Sequence, residues 1–246
     1  MPFFPFAPGM MDSFSPLFGG LDLSHADASK VNVVQIDDFN PEKDQANGKG
    51  QYFNHGETVA SILQSGGSDQ QLGKAVALNK VNIDHGEAPE QRSAAISKAL
   101  SKVITSAMLD RSKVDVVNLS QQDAEATQNC QIVRQKIKML QDMGIPVVVA
   151  ADNLGHNTPN QLAYNNAFVV QSTDENGNLQ EDSGPGNVNA VGRSTSFAAP
   201  QLAPVIGYYK KQGYSIDQIH QLLQQQGNFF SGAKFDDVFT ADTTVQ

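Results

Sequence analysis

Residues 31–38 read Val-Asn-Val-Val-Gln-Ile-Asp-Asp: a β-branched run that stops on two carboxylates. Val and Ile in such a run favour a strand, and their near-continuity favours one covered on both faces. Similar runs recur downstream at 74–83 (KAVALNKVNI), 114–119 (VDVVNL), 145–150 (IPVVVA) and 168–172 (FVVQS). Between them the apolar period changes. Residues 55–64 place Val59, Ala60, Ile62 and Leu63 on one helical face. From Pro89 to about Asp110, Ala94, Ile96, Leu100, Val103, Ile104 and Met108 recur at helical spacing, with Pro near the first turn. Helices are also predicted at 128–143, closed by Gly144, at 196–213 with Pro200 in the first turn, and at 215–226. Strands alternating with helices predict a three-layer α/β/α architecture around a mostly parallel central sheet.

Composition agrees with one large domain. The chain has 246 residues, 39% of them hydrophobic, with 20 glycines and 11 prolines. Its net charge of −9 disfavours a nucleic-acid partner, which needs a positive surface. Cys130 is the single cysteine, so no intrachain disulfide forms and a cysteine-rich zinc site is excluded. No segment reaches 18 apolar residues, so no membrane span is predicted. Residues 1–24 form an irregular Phe/Pro/Met-rich arm, read either as a tail packed on the domain or as a targeting or inhibitory segment. Its first 20 residues carry four prolines and no Lys or Arg, unlike a Sec signal. Location is therefore read as cytoplasmic by default, or exported by a non-Sec route. Residues 25–230 are read as the domain and 231–246 as a C-terminal tail. No pattern in the chain sets an oligomeric state.

In open α/β sheets, functional groups collect beyond the carboxyl ends of the strands. Asp37 sits directly after its strand, and Asn153 closely follows the strand 145–150. His55 and Ser196 open helices, where free backbone N–H groups favour developing negative charge. Four polar groups thus stand where acyl transfer would need them.

Here the motifs become specific. Ser194-Thr195-Ser196-Phe197-Ala198-Ala199-Pro200 resembles the GTSMAAP nucleophile motif of subtilisin-like peptidases, with Ser replacing the leading Gly. His55-Gly56-Glu57-Thr58-Val59-Ala60 is similar to their HGTHVAG motif. VVQIDD resembles their Asp-bearing strand, PVVVAADN the strand ending in the oxyanion Asn, and VDVVNLS the substrate-binding strand. The order Asp, His, Asn, Ser is also the family's. The resemblance covers roughly residues 30–226.

It implies a serine endopeptidase with Asp37, His55 and Ser196 as triad and Asn153 as oxyanion donor, acting on protein or peptide substrates. It implies that Ala150, Ala151, Asp152 and Asn153 form one wall of the primary specificity pocket, with Ser120, Gln121 and Gln122 opposite. A carboxylate at Asp152 would then favour a substrate Arg or Lys, unless it turns outward to solvent.

Each assignment has a plainer counterpart. Ser196 can cap a helix, Asn153 can form a turn before Leu-Gly, and Asp38 stands beside Asp37. His85 lies in a second His-Gly-Glu tripeptide but lacks the helical run that follows His55. His25, His156 and His220 are read as exposed polar residues. Asp84, His85 and Glu87 are read as solvated rather than as a metal site, so no metal or other cofactor is predicted, and nothing in the sequence indicates structural calcium.

Departures from the family pattern concern substrate handling. The Asp37–His55 and Asn153–Ser196 intervals are short, Asp152 replaces a small residue, and Gln122 and Phe39 stand where Gly is usual. These departures keep a second function open, a catalytically weak or inactive subtilase-like peptide-binding protein. An esterase or acyltransferase would fit a G-x-S-x-G elbow and the order Ser–Asp–His, neither of which is present.

Overall fold

A computed structural model of the chain describes residues 30–40, 45–46, 52–65, 74–83, 88–123, 127–163 and 166–225. The N-terminal arm, the C-terminal tail and residues 84–87 lie outside the described residues. So does the comparison of His85 with His55.

Six strands form a parallel sheet: β1 (Val31–Asp37), β4 (Val76–Asn82), β5 (Val116–Leu119), β6 (Val147–Ala150), β7 (Phe168–Thr173) and β8 (Val188–Val191). Their spatial order is β4-β1-β5-β6-β7-β8. A two-residue antiparallel pair, β2 (Gln45–Ala46) and β3 (Tyr52–Phe53), stands apart. Five helices are described: α1 (His55–Ser65), α2 (Pro89–Leu109), α3 (Gln128–Asp142), α4 (Thr195–Lys211) and α5 (Ile216–Gln225).

The period-two alternation of β1 explains the layers. Val34 and Ile36 pack with Ile96, Leu100 and Val103 of α2 and with Ile137 and Leu140 of α3. Val31 and Val33 belong to the opposite core, with Val59 and Leu63 of α1, Leu202 and Ile206 of α4 and Ile219 of α5. Both faces of the sheet are covered, which is why its strands read as unbroken apolar runs. The three-layer expectation holds. The same alternation puts Gln35 and Asp37 on the side of α1 and α4.

Chain order decides where a crevice opens. The sheet grows from β1 in both directions, with β4 on one side and β5 on the other. The connections therefore diverge at the β1/β5 boundary, a topological switch point. Asp37 ends β1 at this boundary.

Four local readings are corrected. Strand β8 went unpredicted, because VNAV is short, half-exposed at Asn189 and Val191, and flanked by Gly and Asn. Strand β5 begins at Val116 because Arg111–Lys113 form a 3-10 turn capped by Asp110, whose Oδ1 accepts from the Ser112 N–H at 3.0 Å. Strand β6 begins at Val147, since the Ile145 N–H is used to close α3 on the Leu140 carbonyl. Finally, Pro200 lies beyond the first turn of α4, and Pro204 follows one turn later. Having no N–H, Pro200 leaves the Ser196 carbonyl without its usual helical donor.

Candidate active site

Asn54 starts α1: its Oδ1 accepts from the Glu57 N–H at 3.0 Å, a side-chain N-cap. His55 follows as the first helical residue. The helix is tied to β1 through the Gly56 N–H, which donates to the Asp38 carbonyl at 3.0 Å, and through Gln35 Nε2, which donates to the Gly56 carbonyl at 2.8 Å. The approach is too close for a side chain at position 56. A Cβ there would lie 2.5 Å from the Asp38 carbonyl oxygen and 2.7 Å from the Phe39 ring.

This docking brings His55 Nδ1 to 2.8 Å from Asp37 Oδ1. A carboxylate can only accept, so Nδ1 carries a proton, and in the neutral ring Nε2 keeps its lone pair. Asp37 is fully buried. Its Oδ1 also accepts from the Asp38 N–H at 2.8 Å and from Gln121 Nε2 at 2.7 Å. Burial pushes the His55 pKa down, while the Asp37 hydrogen bond and the charges of Asp37 and Asp38 push it up. The net position is above the ordinary 6.5. Phe197 stacks on the imidazole with ring centroids 5.9 Å apart and 26° between planes.

Phe197 belongs to the first turn of α4, which opens at Thr195 after the extended Ser194. Ser196, the second residue of that helix, retains 8% exposure and precedes the ring that covers His55. Among the described residues His55 has one hydrogen-bonded partner, Asp37.

Asn153 lies three residues beyond β6, and both ends of its amide are engaged. Its Oδ1 lies 3.0 Å from the Thr195 N–H and 3.0 Å from Thr195 Oγ1. Its Nδ2 donates to Gln122 Oε1 at 2.7 Å. Thr195 Oγ1 is also 2.7 Å from the Ala151 carbonyl, which fastens the end of β6 to the start of α4. Ser120, just past β5, is buried and its Oγ accepts from Asn118 Nδ2 at 3.0 Å.

The model of the family described as Peptidase_S8, the subtilases, matches residues 19–201, well over half of the chain. The chain belongs to the subtilase family.

Thermitase from Thermoactinomyces vulgaris is 31% identical over 119 residues, an alignment covering 41% of this chain and 43% of thermitase. The matched part is thus under half of that curated relative. Solved structures share the fold at lower identity. The prenylagaramide maturation protease PagA is similar with a TM-score of 0.59 at 16% identity, over 88% of this chain and 87% of its own. The nisin leader peptidase NisP from Lactococcus lactis gives 0.59 at 14%, covering 79% of this chain and 82% of its own. Sphericase gives 0.58 at 16%, covering 80% and 83%. The subtilases are a family of serine peptidases.

Asp152 of this subtilase departs from both sequence expectations. It is 1% exposed, so its carboxylate neither turns outward to solvent nor stands open at a pocket. Burial pushes the carboxyl above the ordinary 3.8. The N–H groups of Leu154 and Asn153 offset part of this rise, and the charge of Asp123 adds to it. Among the described residues, neither carboxylate oxygen has a hydrogen bond of good geometry. Its backbone is held, with the carbonyl accepting from the Gly184 N–H at 2.7 Å.

Three contributions escaped the sequence reading, those of Thr195, Phe197 and Gln121. The first two lie inside the Ser196 motif, so the motif itself was their signal. Gln121 was read only as part of the pocket wall; its bond to Asp37 was not foreseen, because only the β1/β5 neighbourhood brings the two together. His220 is another correction. It stacks on Phe168 at 3.9 Å rather than standing free, and burial lowers its pKa. His156 is exposed as read. Among the described residues no group of His, Cys, Asp and Glu is arranged to hold a metal, and no helix is long and apolar enough to cross a membrane.

Proposed function

We propose that this subtilase is a serine endopeptidase acting through Asp37, His55 and Ser196, with Asn153 as oxyanion donor and proteins or peptides as substrates. One observation carries the reading: the buried 2.8 Å hydrogen bond from His55 Nδ1 to Asp37. It leaves Nε2 of the neutral ring as a proton acceptor, and the stacking of Phe197 on that ring sets the first turn of α4, with Ser196, beside it.

In this mechanism Ser196 Oγ attacks the scissile carbonyl carbon while its proton passes to His55 Nε2. The C–O bond to Ser196 forms, and the carbonyl π electrons move onto oxygen. Asn153 Nδ2 and the Ser196 N–H stabilise that oxyanion. Collapse breaks the C–N bond, and the leaving amine takes the proton from His55. Water then repeats the sequence on the acyl-enzyme, with His55 again the base. Asp37 holds the imidazole tautomer and offsets its transient charge without itself being protonated. Gln122, half-exposed beside Asn153, lines the approach to the reacting carbonyl, and the buried Ser120, Ala151 and Asp152 contribute through their backbone.

The structural relatives include a maturation protease and a leader peptidase, which supports a peptide substrate. The second reading, a peptide binder with little turnover, is favoured by the engagement of Asn153 Nδ2 with Gln122. Casein hydrolysis decides between them. The proposal expects turnover that disappears in Ser196→Ala and His55→Ala. Absence of turnover on casein and on a peptide library supports the binder.

A further inference from the structure

We infer that Gln122 is a displaceable cap on the oxyanion donor, a side-chain carbonyl standing in for the scissile carbonyl, which makes the site selective for extended peptides over small acyl compounds. The inference rests on the reading of Asn153 as the oxyanion donor.

The Asn153 amide has little freedom. Its Oδ1 is fixed by the Thr195 N–H and faces the Thr195 hydroxyl, so exchanging the amide ends would set donors against donors. Nδ2 is therefore held on the opposite side, where Gln122 Oε1 accepts from it at 2.7 Å. A carboxamide oxygen is the same acceptor that a peptide bond would offer. An oxygen so close to Nδ2 competes for the donor, and its partial negative charge lies beside the place where the oxyanion grows.

The cap is built to move without the backbone. The Gln122 carbonyl is anchored by Arg92 Nη1 at 3.2 Å, and the next N–H, that of Asp123, by Asn160 Oδ1 at 3.0 Å. The Gln122 side chain is half-exposed, so it can rotate into water and have its amide satisfied there. Leaving costs one neutral hydrogen bond, equivalent to about a two- to tenfold penalty. An extended peptide offsets that penalty with contacts remote from the reacting bond. A small acyl compound has few such contacts and bears it in full.

The test uses the full 246-residue chain and a small alkyl fluorophosphonate. With this probe an Oγ–P bond forms on Ser196, the P–F bond breaks, and the Oγ proton passes to His55. Labelling rates are compared for wild type, Gln122→Ala and Gln122→Glu, each also in an Asn153→Ala background, with hydrolysis of an extended peptide measured alongside. The cap predicts that Gln122→Ala labels about two- to tenfold faster and gains less on the extended peptide. Gln122→Glu, a stronger acceptor for Nδ2, labels more slowly than wild type. Both changes vanish without Asn153. Equal rates for wild type and both variants, or a gain that persists in the Asn153→Ala background, overturn the cap and leave the triad standing. No labelling of any variant overturns the triad reading and the cap together.

Discussion

Thr195 meets Asn153 twice on one oxygen, through its backbone N–H and its hydroxyl, each 3.0 Å from Asn153 Oδ1. The single hydroxyl proton is shared between that oxygen and the Ala151 carbonyl at 2.7 Å. A residue next to the proposed nucleophile therefore orients the proposed oxyanion donor and ties together the strand end and the helix start that carry the two.

Thr195→Val keeps the shape and removes the hydroxyl. The buried Ala151 carbonyl then loses its side-chain donor, costing about 1–3 kcal/mol. The melting temperature should fall by a few degrees. The rate should fall less than the roughly 10²–10³-fold expected for Asn153→Ala, a size known from the corresponding donor of subtilisin, because the Thr195 N–H still holds Oδ1. Thr195→Ser should restore both quantities. A valine variant that melts and turns over like wild type contradicts the orienting role.

The pH profile follows from the Asp37–His55 pair. General-base action needs neutral His55, so activity should fall as pH drops through the histidine pKa. Asp37 and Asp38 hold that pKa above 6.5, so the midpoint of the acid limb should lie above 6.5. Asp37→Asn removes the main upward influence and leaves burial opposed only by the charge of Asp38, so the midpoint should move down while the rate drops by about 10⁴-fold, as in another triad enzyme. The stability sign runs oppositely to activity. A raised histidine pKa favours the folded state at low pH, and that contribution is lost as pH rises through the folded value. Rate profiles of the two proteins test this. A midpoint unmoved by Asp37→Asn removes Asp37 from its role.

Much of this site was legible from residue types and alternation. The run VNVVQIDD predicts a buried strand with Asp37 directly after its apolar residues. The Ser194–Pro200 motif located the helix that carries Ser196. Side-chain direction was not legible, because it depends on packing between distant segments. Gln122 lies opposite Asn153 only once β5 and β6 are paired, and Phe197 covers His55 only once α1 meets α4. Asp152 misled for the same reason: a carboxylate after a strand is ordinarily solvated, and only the close approach of residue 184 encloses it. Strand β8 lacked an apolar run because only Val188 and Ala190 face the core.

That enclosed carboxylate has a thermodynamic signature. Its pKa is raised, so the folded state holds a proton that the unfolded chain has released. Stability should therefore fall as pH rises from about 3.8 through the raised value. Asp152→Asn removes the buried charge, so its melting temperature should exceed wild type at pH 8, with the difference narrowing on acidification toward pH 4. Scanning calorimetry of both proteins across that range reads the effect. A variant that melts below wild type at pH 8 shows that the carboxylate is compensated there.

The central claim is that Ser196 is a nucleophile activated by His55. Its most direct measurement is covalent labelling by a fluorophosphonate, with the modified residue located by peptide mass spectrometry. The account predicts a single phosphonylated residue, Ser196, with labelling absent in Ser196→Ala and strongly slowed in His55→Ala, while both variants stay folded. Labelling at another residue, or labelling that survives in Ser196→Ala, would contradict it.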